Sequence, residues 1–176
     1  MPITESVLSH DETRPRRFSS AAPARPPWRT VAVALVAAMT GLLALVALTE
    51  GLHQPWFIPP LAASMALIMG APALPLAQPR NVVGGQVVSS LTGVLVGMIG
   101  HSLWWGAVAG AVALAAMTVC RVSHSPAAAT AVIGATAATI PGWEFVLFAG
   151  ASALVLVVVG YIAHRLSAVS YPVYTW

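Results

Sequence analysis

Few side chains in this 176-residue sequence can do chemistry, and two short stretches hold most of them. The first is Leu76-Ala77-Gln78-Pro79-Arg80-Asn81-Val82-Val83-Gly84-Gly85-Gln86. Here one guanidinium and three amides surround two glycines, between apolar segments. An arginine attracts anions and amides hydrogen-bond them, so Gln78, Arg80, Asn81 and Gln86 could line the mouth of a pathway. The plainer reading is a polar loop with an arginine that orients the chain. Gln86 favours the pathway, because it already lies within the next apolar run, where an unpaired amide is costly. The second stretch is Arg121-Val122-Ser123-His124-Ser125-Pro126. It places Arg121 and His124 where a Pro-started helix begins, and the positive end of a helix favours an anion. The alternative is that Arg121 only orients a span and His124 caps the helix.

Nothing comparable supports catalysis. Asp is absent after residue 11, and Glu50 and Glu144 are far apart. The five histidines (10, 53, 101, 124 and 164) never fall three or four residues apart, so no local metal pair forms. No zinc-protease, nucleophile-elbow or phosphate-loop signature is present. The expectation is a protein that is not an enzyme, with no catalytic residues, no metal and no cofactor. His53, His101 and His164 are expected near membrane edges. Cys120 is the lone cysteine and reads as a small buried hydrophobe.

These side chains sit in a lipid-soluble framework. Hydrophobic residues make up 58% of the chain and charged ones 7%, against about 25% in an ordinary soluble domain. Eight of the charges fall within residues 1–30, leaving Glu50, Arg80, Arg121, Glu144 and Arg165 for the rest. Basic charge beside apolar segments orients a membrane protein and makes no nucleic-acid footprint. Residues 1–30, rich in Pro and charge, read as a disordered cytoplasmic tail. Residues 31–166 read as the membrane domain and 167–176 as a short C-terminal tail. The fold expected is an all-α transmembrane bundle of six apolar segments, in the plasma (inner) membrane, with its N-terminus cytoplasmic.

Four segments are long: 31–49, 82–100, 103–120 and 144–163. At about 1.5 Å per residue, each comes close to the roughly 30 Å of a hydrocarbon core. Two are short, 60–77 (broken at Pro72 and Pro75) and 126–140, and each begins at Pro, which suits a first helical turn. Pro60-Leu61-Ala62-Ala63-Ser64 and Pro126-Ala127-Ala128-Ala129-Thr130 share a pattern that puts Ser64 and Thr130 in matching positions. The order long, short, long then recurs, giving units 31–100 and 103–165 and implying an internal duplication. If the short segments cross, there are six spans, with Arg80, Arg121 and Arg165 on the cytoplasmic side. If they re-enter, there are four, and Arg80 and Arg121 face outward. The positive-inside rule favours six. Ser89, Gly93 and Gly97 on one segment, and Gly106 and Gly110 on the next, allow close helix approach. The expected consequence is that 82–100 and 103–120 pack as a hairpin within a tight bundle, in a homo-oligomer such as a dimer.

At these residues the sequence resembles the HPP family of small integral membrane proteins, over roughly residues 50–165. The Leu76-Ala77-Gln78-Pro79-Arg80-Asn81 string and the following Gly84-Gly85 carry most of the likeness. The family's His-Pro-Pro corresponds to His124-Ser125-Pro126, so Ser125 replaces its first Pro. Gln86 stands where the family often has His. The family is usually described with four spans, and some plastid and cyanobacterial members are associated with nitrite transport. The resemblance therefore implies a transporter or channel for a small anion, plausibly nitrite, with the bilayer and that anion as partners. No ATP-binding module is visible, so transport would be passive or gradient-coupled. The alternative is a non-transporting membrane scaffold or partner subunit. Candidate site residues are Gln78, Arg80, Asn81, Gln86, Arg121 and His124, with Ser64 and Thr130 supplying hydroxyls.

Overall fold

The computed structural model describes residues 24–137 and 142–174, and all its regular structure is helical. Six α-helices follow in order: α1 (Trp28–Leu52), α2 (Pro59–Gly70), α3 (Pro79–Gly97), α4 (Leu103–Val119), α5 (Ser125–Thr136) and α6 (Gly142–Leu166). A single 3-10 turn, Pro75–Ala77, links α2 to α3. The all-α expectation holds, with six α-helices and no strand among the described residues. Most of the expected tail, residues 1–23, lies outside the described residues, as do 138–141 at the end of the second short segment.

Proline sets the starts of the short helices. Pro59 and Pro60 occupy the first turn of α2, and Pro126 that of α5, where a missing N–H breaks no intrahelical bond. Each is 12 residues, roughly 18 Å at 1.5 Å per residue. By contrast α1 and α6 have 25 residues each and are long and apolar enough to cross a membrane.

Neighbouring helices alternate in direction along the chain. Phe57 hydrogen-bonds back to Thr49, and Met65 lies near Gly41, so α2 runs antiparallel to α1. Gly160 approaches Ile68 and Ser152 bonds the Trp56 carbonyl, so α6 runs alongside α2. On the other side, Gly93 meets Ala131 and Gly97 meets Ala135, so α3 and α5 run parallel. Gly106 approaches Thr136 and Gly110 approaches Val132, with Ala128 beyond, so α4 runs opposite to α5.

Small residues make this packing possible, but their partner differs from the one expected. The Gly93 and Gly97 face of α3 and the Gly106 and Gly110 face of α4 both close on α5. A β-carbon at Gly93 would lie 2.8 Å from Ala131 Cα, well inside the usual separation of about 3.5–4.0 Å for carbon atoms. So α3 and α4 are neighbours, with the short helix clasped between their small-residue faces. A larger apolar core of Leu45, Leu61, Met65, Ile68, Phe145 and Leu156 joins α1, α2 and α6.

One further expectation changes. Cys120 is exposed at the end of α4, off the Gly106, Ala109, Ala113 and Met117 side that the helix buries. His164 is buried, and its Nε2–H donates to the Ile68 carbonyl at 2.9 Å. His53 and His101 are exposed. The C-terminal segment is packed onto the bundle. Tyr171 is buried, packs its ring at a 46° tilt against His164 with centroids 5.0 Å apart, and donates to the Ala77 carbonyl at 2.9 Å.

Candidate functional site

Four of the eight candidate side chains meet in one hydrogen-bonded chain between the two short helices. Ser64 is the sixth residue of α2, and Thr130 is the sixth of α5. Gln86 lies between them on α3, about 10 Å from that helix's start at 1.5 Å per residue. Its Nε2 donates to Ser64 Oγ at 3.2 Å, and its Oε1 accepts from Thr130 Oγ1 at 2.7 Å. His124, the N-cap of α5, completes the chain with Nε2 2.8 Å from Ser64 Oγ. All four side chains are fully buried.

The geometry defines the histidine's tautomer. His124 Nδ1 is 2.7 Å from the Leu76 carbonyl, which only accepts, so Nδ1 carries the proton. Nε2 is then the nitrogen free to accept from Ser64. Gly85 makes room for this ring, since a β-carbon there would fall 2.6 Å from His124 Cβ. Gly84 likewise accommodates Val122. The double glycine before Gln86 is thus where α3 lets the segment leading into α5 lie against its backbone. On the same face, Ser89 Oγ donates to the Ala127 carbonyl.

The other four candidates lie around this centre. Asn81 is buried and donates to the Ser123 carbonyl at 3.0 Å, fixing the segment just before His124. Gln78 stands apart. Its Nε2 donates to the Pro72 and Leu74 carbonyls, at 2.7 and 3.0 Å, and its Oε1 accepts from Val173 N at 2.8 Å. It ties the loop after α2 to the C-terminal segment. Arg80 is half-buried in the first turn of α3. Arg121 is exposed and holds a left-handed backbone, with φ of 58°.

Two groups escape a reading of residue types. The Leu76 carbonyl sets the histidine tautomer, and no sequence signal marks it. Trp56 has a buried indole N–H with no partner among the described residues, and its ring packs edge-on against Phe148 at 5.2 Å. Its place just upstream of a Pro-started helix was the available signal. Among the described residues, no group of three or more His, Cys, Asp or Glu side chains is arranged to hold a metal.

A comparison with known families decides the relationship. The model of the HPP transmembrane region matches residues 23–172, which covers all six helices. The chain belongs to the HPP transmembrane family. No curated protein and no solved structure matches it. In this HPP protein His124 joins the start of α5 to Ser64 of α2, and Gln86 of α3 is the residue bonded to both short helices. Pro126 keeps its place in the first turn of α5 although Ser125 precedes it.

Proposed function

We propose that this protein is a small membrane transporter or channel-like protein for a small anion, with nitrite the leading candidate. The observation that carries the reading is the buried His124–Ser64–Gln86–Thr130 chain, set among apolar helices. Polar groups within a membrane domain are costly to bury and tend to line substrate paths. The supporting geometry is the convergence of two short helices of alternating direction, whose N-terminal halves flank the network. Discontinuous helices of this kind present N–H groups and positive dipole ends to anionic cargo in transporters.

In this reading Arg121 and Arg80 raise the local anion concentration at the face from which α3 and α5 begin. Ser64, Gln86, Thr130 and His124 exchange their mutual hydrogen bonds for bonds to the anion as it passes. Asn81 and Gln78 hold the two loops that frame the entrance. The alternating directions fit six crossings and an inverted duplication of units 31–100 and 103–165, with the N-terminus cytoplasmic and the protein in the plasma membrane. The test is flux of nitrite and nitrate into liposomes carrying the purified protein. Flux above that of empty vesicles is expected, and its reduction by Thr130→Val in a normally folded protein. Flux no greater than that of empty vesicles would end the proposal.

A second reading, a membrane scaffold or homo-oligomer, is favoured by α1, which has only 17% of its most apolar window buried. Under that reading, deletion of residues 1–28 or bulky substitutions on the exposed Leu35, Met39 and Leu43 face would disrupt assembly and leave Arg121→Asn without effect.

A further inference from the structure

The hydrogen bonds around Ser64 have a property that simple anion conduction does not require. Ser64 Oγ has three polar neighbours: Gln86 Nε2 at 3.2 Å, His124 Nε2 at 2.8 Å and the Pro60 carbonyl at 3.1 Å. Gln86 donates to it, because the glutamine's oxygen is taken by Thr130. The serine's single proton therefore has two acceptors available. With His124 neutral, the hydroxyl donates to Nε2. With His124 protonated, Nε2–H donates to Ser64 Oγ, and the hydroxyl turns to the Pro60 carbonyl. Both arrangements give the Ser64 hydroxyl and each imidazole N–H an acceptor, and once Nε2 gains its proton the change needs only the hydroxyl hydrogen to turn about the Cβ–Oγ bond. Since Nδ1 stays bonded to Leu76, Nε2 is the nitrogen that gains and loses the proton.

The surroundings decide what a protonated His124 would need. α2, the 71–78 loop and α5 beyond His124 carry no titratable side chain. α3 contributes Arg80, and the end of α4 with its following loop contributes Cys120 and Arg121, both exposed. On the C-terminal side, Tyr171 is bonded to the Ala77 carbonyl and His164 to the Ile68 carbonyl. The acidic side chains among the described residues are Glu50, near the end of α1, and Glu144, in the first turn of α6. Both lie at the end of the bundle away from the 71–78 loop. Among the described residues a buried imidazolium here thus has no carboxylate beside it to balance it, and a buried unpaired charge is costly. A small anion supplies the missing charge, and the imidazolium supplies the anion's.

We propose that transport is proton-coupled: one proton is taken up on His124 Nε2 with each monovalent anion, and both are released together on the other side. This rests on the anion-transport reading above. In the loading step an N–H bond forms at Nε2 as an O–H bond of a hydronium ion breaks and leaves water, and the reverse occurs on release. No electrons move, and the cycle carries no net charge.

The experiment uses the full-length protein in liposomes, with nitrite and nitrate as probes and an internal pH dye reporting protons. Empty vesicles give the leak of the undissociated acid. An inward pH gradient is expected to drive anion uptake with about one proton per anion, while a potassium diffusion potential of either sign leaves the rate unchanged. Ser64→Ala removes the second acceptor arrangement and is expected to cut gradient-driven uptake at least tenfold, whereas Ser64→Thr restores it. Wild-type flux that follows membrane potential and ignores the pH gradient overturns the coupling and leaves the transporter reading intact. No wild-type flux under any gradient overturns both. Because the wild-type stoichiometry alone decides the matter, a poorly folded Ser64→Ala does not rescue the proposal.

Discussion

Gly93→Ala probes the contact that holds the candidate site together. The added carbon would stand 2.8 Å from Ala131 Cα, about 0.7–1.2 Å closer than carbon atoms normally approach. Both sides of the contact are helix backbone, so no flexible side chain yields, and α3 and α5 must separate by roughly 1 Å. Overpacking of this kind costs about 1–3 kcal/mol. The separation acts on the network directly, because the Thr130–Gln86 bond spans the same two helices at 2.7 Å and weakens beyond about 3.0 Å. Gly51→Ala is the control. It also lies in a helix, and its β-carbon would meet nothing within 4 Å. It isolates the helix-propensity gain of about 1 kcal/mol from the clash. The assay is the temperature at which the detergent-solubilised protein loses its monodisperse size-exclusion peak, followed by flux in liposomes. Gly51→Ala should match or slightly exceed the wild type. Gly93→Ala should fall about 2–12 °C below Gly51→Ala, at about 2–4 °C per kcal/mol for a chain of this size, with reduced flux. If the two variants melt within about 1 °C of each other and transport equally, the close α3–α5 contact does not hold the site.

Three further outcomes can be checked separately. Cys120 is the chain's one thiol and is exposed, so an impermeant maleimide should label it from the cytoplasmic face if there are six crossings, and from the opposite face if there are four. Arg121→Asn keeps a residue that tolerates the left-handed backbone there, so stability should be unchanged or up to about 1 kcal/mol higher. Its anion flux should fall severalfold at low salt, and the deficit should shrink as salt screens the lost charge. Burial raises the ionisation of the Tyr171 phenol above its ordinary value near 10, so this group's contribution is complete below pH 10 and declines as pH rises further. Tyr171→Phe should cost about 1 kcal/mol at pH 7, from the lost bond to Ala77, and melt with a weaker alkaline decline than the wild type.

Helix order was largely legible because proline and the polar loops punctuate it. Pro60 and Pro126 marked the short helices to within a residue, and α4 starts at Leu103 as expected. The polar residues of the network were also legible, since Gln86 inside an apolar run needs partners and Ser64 and Thr130 occupy matching positions. Facing was not legible. Helices that are apolar all round give no stripe that separates core from lipid. Leu103, Trp104, Val108 and Leu114 look like core residues by type, yet they are exposed on α4, and Cys120 shares that surface. The buried side of α4 is marked by Gly106, Ala109 and Ala113 instead. His164 shows the converse: a polar type near a helix end that is buried because the chain after α6 folds back and lays Tyr171 against it. Gln78 was grouped with the site by sequence proximity, but the backbone turn at Pro75–Ala77 directs its amide to the loop and the C-terminal segment.

The central claim is that the buried network linking α2, α3 and α5 handles the anion, and Gln86→Leu tests it most directly. Leucine is similar in volume and keeps the site apolar, but removes the bonds to both Ser64 and Thr130. With variant and wild type reconstituted at equal amounts and matched by size exclusion, nitrite flux should exceed the empty-vesicle leak for the wild type and drop at least tenfold for Gln86→Leu. Equal flux through the two proteins would contradict the account.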